Sequence, residues 1–195
     1  MAQTQAPEKA TIKGFRSAQF GMSEADVRRA AIKDLGIKSQ DIQVETHSRE
    51  KTRLLSVRVK DLIPDSGMAL VVYQFGFRSK TLVQVSILWG RPVDSSTAPQ
   101  SLVATANVLR DFFQQQQFEQ QGMLLNAPTQ GGIVVFRGFD SSGRMVALML
   151  SEQAAEVAAT TQGGSNEQSA IAPTKNLSLQ LSYVLSPQKP DIFAI

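Results

Sequence analysis

Gly21-Met22-Ser23-Glu24-Ala25-Asp26-Val27 carries the instructions for starting a helix, and its reading decides the fold class. Ser23 is a preferred N-cap type, and Asp26 stands three residues on, where a carboxylate returns the hydrogen bond of a variant capping box. Met22 and Val27 occupy the two positions of a hydrophobic staple. Glu24 and Asp26 place negative charge in the first turn, where the helix dipole favours it. Val27, Ala30, Ala31 and Leu35 then form one apolar stripe at helical spacing, and Gly36 supplies a left-handed stop. The spacing predicts a helix of roughly three turns.

Downstream the period changes from helical to alternating, which makes the chain α+β. Residues 42–48 and 55–60 alternate, with Leu55, Val57 and Val59 set against Ser56, Arg58 and Lys60. Arg49 to Thr52 and Pro64-Asp65-Ser66-Gly67 are turns. Residues 68–77 are apolar on both faces and predict a central strand. Residues 82–89 alternate again, with Val83, Val85, Ile87 and Trp89 on one side, after a turn at Arg78-Ser79-Lys80.

A Gly-, Pro- and Ser-rich break at 90–99 reads as a linker between halves. A second helix is predicted over 100–120, with Leu102, Ala106, Leu109 and Phe113 on one side and Gly122 as its stop. Residues 133–139, the turn Asp140-Ser141-Ser142-Gly143 and residues 144–151 predict a hairpin. Residues 152–175, rich in Ala, Gln, Ser, Thr and Gly, predict a mobile loop. Leu177, Leu179, Leu181, Tyr183 and Leu185 alternate in a last strand. A shift of 63 positions lays Val134-Val135-Phe136 on Val71-Val72-Tyr73, and Val146, Leu148 and Leu150 on Val83, Val85 and Ile87. The expectation is therefore two helix-plus-antiparallel-sheet modules in tandem, at 12–94 and 95–195, with six to seven strands and two main helices; the alternative is one domain with a shared core. Residues 1–11 are expected to be a disordered lead.

The helix opener at Phe20 to Val27, together with this order of elements, resembles two groups of small exported bacterial modules. These are the SmpA/OmlA outer-membrane assembly lipoproteins and the β-lactamase-inhibitor-protein-like tandem modules. The resemblance implies a non-enzymatic, protein-binding role in the cell envelope. The chain departs from the first group in having no cysteine to accept a lipid. The polar start Met1-Ala-Gln-Thr-Gln-Ala-Pro-Glu-Lys reads as the beginning of a mature exported protein whose signal peptide has been removed. The expected location is periplasmic, with a cytoplasmic start as the alternative.

Composition narrows the chemistry. Twenty basic and seventeen acidic groups leave a net charge of +3. Residues 1–94 hold 15 basic and 10 acidic groups (+5), and residues 95–195 hold 5 and 7 (−2). So slight an excess is a solvated surface before it is a nucleic-acid footprint. With no cysteine, disulfides, thiolate catalysis and cysteine-held zinc are excluded. His47 is the sole histidine, and its neighbours Glu45 and Arg49 read as one polar strip of a strand. Gly131-Gly132 and Gly163-Gly164 lack the lysine and the strand–loop–helix setting of a phosphate loop. The run Tyr73 to Arg78 contains only the Phe-Gly-Phe fragment of an RNA-recognition strand, so its rings are assigned to the core. No catalytic, cofactor-binding or metal-binding residue is assigned, and no cofactor is expected.

Trp89, Arg91 and Arg78 are the candidate interaction residues, because Trp and Arg are interface-enriched types. A Trp at the core edge is the competing reading for Trp89. The leading function is a periplasmic module that binds another envelope protein through a sheet face or edge. The alternatives are a carrier of an apolar small molecule or lipid between helix and sheet, and a hydrolase built on scattered carboxylates.

Overall fold

The computed structural model describes residues 8–153 and 176–193. Its first helix forms as its local chemistry dictates. Helix α1 spans Glu24–Leu35, Ser23 accepts the Asp26 backbone N–H, and Gly36 closes the helix at φ 64°. Val27 and Ala31 are buried, and Ala30 and Leu35 pack against the same core. Two short strands, β1 (Gly14–Phe15) and β2 (Ala18–Gln19), pair just ahead of it.

All other strands belong to one antiparallel sheet. In chain order they are β3 (Gln43–Thr46), β4 (Arg53–Lys60), β5 (Met68–Phe75), β6 (Leu82–Gly90), β7 (Leu124–Thr129), β8 (Gly132–Phe139), β9 (Met145–Gln153) and β10 (Asn176–Val184). Their order in space is β3-β4-β5-β6-β10-β9-β8-β7. Among the described residues the mixed α+β class holds, with two α-helices, but the expected six to seven strands are eight in the main sheet and two in the small one. The expected pair of sheets is a single sheet, because the last strand of each half, β6 and β10, lie side by side from Gln84↔Val184 to Gly90↔Ser178. The 63-residue shift is one strand out of step. It lays β5 on β8 and β6 on β9, whereas from the β6–β10 seam outward β6 corresponds to β10 and β5 to β9.

Helix α2 runs over Pro99–Gln114 and buries Leu102, Thr105, Ala106, Leu109 and Phe113. It stops well short of the expected Gln120. The glutamine run would extend a helix, but Phe118 turns inward to pack its ring on Phe113 and Phe136, at centroid distances of 6.4 and 5.1 Å. Gln117 meanwhile pairs its backbone with Glu8 and Ala10. This also shortens the expected disordered lead: Ala10 and Ile12 are buried, and the carboxylate of Asp140 accepts the Ile12 N–H at 2.9 Å. Of the loop expected at 152–175, the first two residues extend β9 and residues 154–175 lie outside the described residues.

Both helices cover the same face of the sheet. The core contains Leu55, Val57, Val71, Tyr73, Val85, Ile87, Trp89, Leu148, Leu179 and Leu181, which alternate along their strands on one side. One expected member is missing. A register break opposite Gln74 and Phe75 puts Leu82, not Val83, into the core, so Leu82 is fully buried and Val83 half-buried. A bulge inserts one extra residue and re-aims the side chains around it.

Candidate interaction face and cleft

Among the described residues neither helix covers the other face of the sheet, where Gln180 and Met149 are exposed, the remaining central residues are half-buried, and Ser86 and Ser182 are buried among their neighbours. An open antiparallel face ordinarily alternates into polar, often charged, side chains. Here the central strands present a different composition. Val72, Ser86, Ser182 and Ala147 form one cross-strand row, and Leu70, Leu88, Gln180 and Met149 form the next. Gln74, Gln84, Val184 and Met145 form a third. None of these residues is charged. Charges return on the flanking strands, at Arg58 beside Leu70, Lys60 beside Met68 and Arg137 beside Ala147.

The polar groups of this face bond to one another. Gln84 donates to the Ser86 hydroxyl at 3.0 Å, Ser86 and Ser182 share a hydrogen bond at 3.3 Å, and Gln180 donates to Ser182 at 3.1 Å. A partner covering the face therefore strands few unmet donors, and unmet donors are what make burial of polar surface costly. Depletion of charge with Met and aliphatic enrichment is the composition of an interface centre.

The edges offer less. β3 is only four residues long, and β7 carries Asn126 in a left-handed conformation (φ 48°) and Pro128, which has no N–H to donate. Short edges, irregular backbone and edge proline are ways of blocking strand addition.

One end of the open face is roofed by the segment that follows β10. Leu185 donates its backbone N–H to Val83, and Phe193 donates to the Glu50 carbonyl. Between them Asp191 acts as a clasp. Its carboxylate accepts the backbone N–H groups of Arg78 and Ser79 at 2.8 and 2.9 Å, and its carbonyl accepts that of Phe77. The Phe193 ring packs edge-on against Phe77 at 5.3 Å. Gly76 is required here, since a Cβ at that position would overlap the Asp191 carboxylate. Burial disfavours the charged form of Asp191, but the hydrogen bonds it accepts from Arg78 and Ser79 outweigh this and hold its carboxyl below the ordinary range. Beneath the segment lies a cleft of about 350 Å³ lined by Gln74, Thr81, Val83, Gln84, Val184, Leu185 and Ile192, with Glu50, Lys189 and Asp191 at its sides.

A second recess of about 250 Å³ lies between the end of α2 and β8. Phe113, Phe118 and Phe136 form its wall, with Met123, Leu125 and several glutamines around them. Phe113 and Phe136 stack at 5.2 Å.

The three candidate interaction residues are not brought together. Trp89 is wholly buried in the core between Ala69 and Leu179, and among the described residues its indole N–H has no hydrogen-bond partner. Arg91 is exposed just past the end of β6 and donates to Asn176 at 3.4 Å. Arg78 is exposed in the turn at the other end of β6, where its backbone N–H rather than its guanidinium meets Asp191. Of the Phe-Gly-Phe fragment, Phe75 is core and Phe77 is half-buried under Phe193. His47 is exposed in the β3–β4 turn, where its Nδ1 accepts the Glu50 N–H at 3.1 Å.

Hydrogen bonds hold several carboxyls low: Arg53 acts on Glu24, Ser23 on Asp26 and Ser96 on Asp94. That direction is opposite to the one a general acid needs. Burial pushes the Tyr183 hydroxyl up to about 12. Among the described residues, no group of three or more His, Asp and Glu side chains is placed to hold a metal ion. No helix among them is long and apolar enough to cross a membrane. No family model, curated protein or solved structure matches the chain.

Proposed function

We propose that this chain is a non-enzymatic interaction module of the bacterial cell envelope that binds another envelope protein through the open face of its sheet. One observation carries the reading: a broad, charge-free face whose polar groups are already paired, on a sheet whose two edges are blunted. The choice of face over edge rests on Asn126, Pro128 and the shortness of β3. Periplasmic location rests on the resemblance at Phe20 to Val27. The two four-strand halves, each preceded by a helix, support a tandem-module origin.

The test starts with co-purification of the tagged full chain from its native envelope and identification of what it retains. The purified pair is then titrated. The double substitution Gln180→Glu with Met149→Lys places an opposite-charge pair on neighbouring strands in the middle of the face, a change a sheet tolerates. Desolvating that pair under a partner costs several kcal/mol, so affinity falls by roughly 100-fold or more with little change in melting temperature. Unchanged affinity, or no retained protein, overturns the reading.

The aromatic recess at Phe113, Phe118 and Phe136 favours one second reading, carriage of an apolar molecule. Lipid extracted from protein purified out of its native envelope, in stoichiometric amount and lost in Phe118→Ser, supports it. Absence of such lipid sinks it.

A further inference from the structure

We infer that the cleft beneath the segment after β10 is a binding site for an aliphatic group carried on amide N–H donors. The inference deepens the interaction reading but stands on separate observations.

The first observation is the bulge. Regular alternation would turn Val83 into the core and leave only Gln84 on the open face. The register break instead lets two consecutive residues, Val83 and Gln84, line the cleft, while Leu82 and Val85 on either side are fully buried. Departures from strand regularity concentrate next to functional sites.

The second is the cleft's hydrogen-bonding balance. Glu50 can only accept, so the 2.9 Å bond from Gln74 Nε2 to its carboxylate fixes which end of the Gln74 amide is spent. Gln74 Nε2 also reaches the Thr52 hydroxyl, at 3.3 Å, and Gln84 Nε2 is given to Ser86. Among the described residues both glutamines keep a carbonyl oxygen, Oε1, without a partner, and Gln84 keeps one spare N–H beside it. Asp191 accepts one N–H on each oxygen, from Arg78 and Ser79, and keeps acceptor capacity on both. The floor therefore offers acceptors and asks for donors. Lys189, exposed at the rim, supplies a donor for a carbonyl. A neutral amide meets both conditions.

The third is shape. Val83, Val184, Leu185 and Ile192 provide an apolar wall, and 350 Å³ lies at the small end of ligand-site volumes, which begin at about 300 Å³. It suits one aliphatic residue with its flanking amides. That unit belongs equally to a polypeptide segment of a partner or to a free small amide.

The experiment titrates the isotopically labelled full chain with N-acetyl-leucine N-methylamide and follows backbone amide resonances. Shifts confined to Val83, Gln84, Leu185 and neighbouring residues are expected. The same probe methylated at both nitrogens, and so without N–H, binds about tenfold more weakly, the cost of one or two hydrogen bonds. Gln84→Leu weakens that discrimination, since Gln74 keeps its own free carbonyl oxygen. Ser186→Trp, at an exposed cleft-lining position, blocks binding by filling the space without touching the core. A blocked tetrapeptide containing leucine that binds more tightly than the single residue assigns the site to a polypeptide, and equal binding assigns it to a free amide. Scattered or absent shifts at millimolar probe, or equal binding of the methylated analogue, overturn the inference. Gln180→Glu with Met149→Lys leaves this titration unchanged, so failure of the face reading and failure of the cleft are told apart.

Discussion

Replacing Asp191 by alanine removes the clasp that roofs the cleft, and the size of the effect follows from what the carboxylate holds. Two backbone N–H groups, of Arg78 and Ser79, donate to it at 2.8 and 2.9 Å. A hydrogen bond to a charged group contributes about 1.5–3 kcal/mol when protected. Both donors lie in an exposed turn, where water substitutes for the lost oxygen, so the combined loss is discounted to roughly 1–2 kcal/mol. The Phe77–Phe193 ring contact and the Phe193-to-Glu50 backbone bond remain. The core strands are untouched, so the loss belongs to local opening of residues 186–193 rather than to global unfolding. An opening equilibrium shifted by that energy rises about 5- to 30-fold. Native-state hydrogen exchange reads it directly. The Phe193 N–H, whose bond to Glu50 persists, exchanges faster by that factor. The Arg78 and Ser79 N–H groups, which lose their acceptor, do so by at least as much, and those of β5 and β10 do not change. Acid acts in the same way. The folded carboxyl ionises below its unfolded value of about 4, so the clasp is at full strength above that pH. It fades as pH falls through the lower folded value. Uniform acceleration across the sheet, or no change at Ser79 and Phe193, refutes the assignment of a local clasp.

Two further changes test the core and the edge. Trp89→Ala leaves a large cavity where a fully buried ring stood, and unfolding in urea shows a loss of about 3–5 kcal/mol; a loss below 1 kcal/mol would return Trp89 to the surface reading. Pro128→Thr restores an N–H to the outer strand β7, and sedimentation velocity shows a higher weight-average mass than the parent chain. An unchanged mass would mean that Asn126 alone blunts that edge.

The parts of this molecule legible in its sequence are those governed by residues close together in the chain. Helix α1 is the clearest: Ser23, Asp26 and Gly36 act within one turn of the residues they cap, and the observed bounds follow them. The β8–β9 hairpin is equally local, its turn closed by Asp140, which accepts the backbone N–H groups of Ser142 and Arg144. Where distant residues compete, local reading fails. The glutamines after Gln114 have good helix propensity, but Phe118 gains more by joining Phe113 and Phe136 than by continuing the helix. β7, with Asn126 and Pro128 inside it, has poor strand chemistry and exists because β8 offers it a ladder. The open face defeats pattern reading for another reason. Apolar residues on both sides of β5 signal a central strand, which is right for its place in the sheet, yet the same signal arises when one side awaits a partner. The cleft lies furthest from sequence reading, because its roof joins residues 113 positions apart, Arg78 and Asp191, across a bulge that alternation cannot reveal. Val83 marks that limit. Its place in the pattern assigns it to the core, and only the strand beside it decides that Leu82 takes the core position and Val83 the cleft.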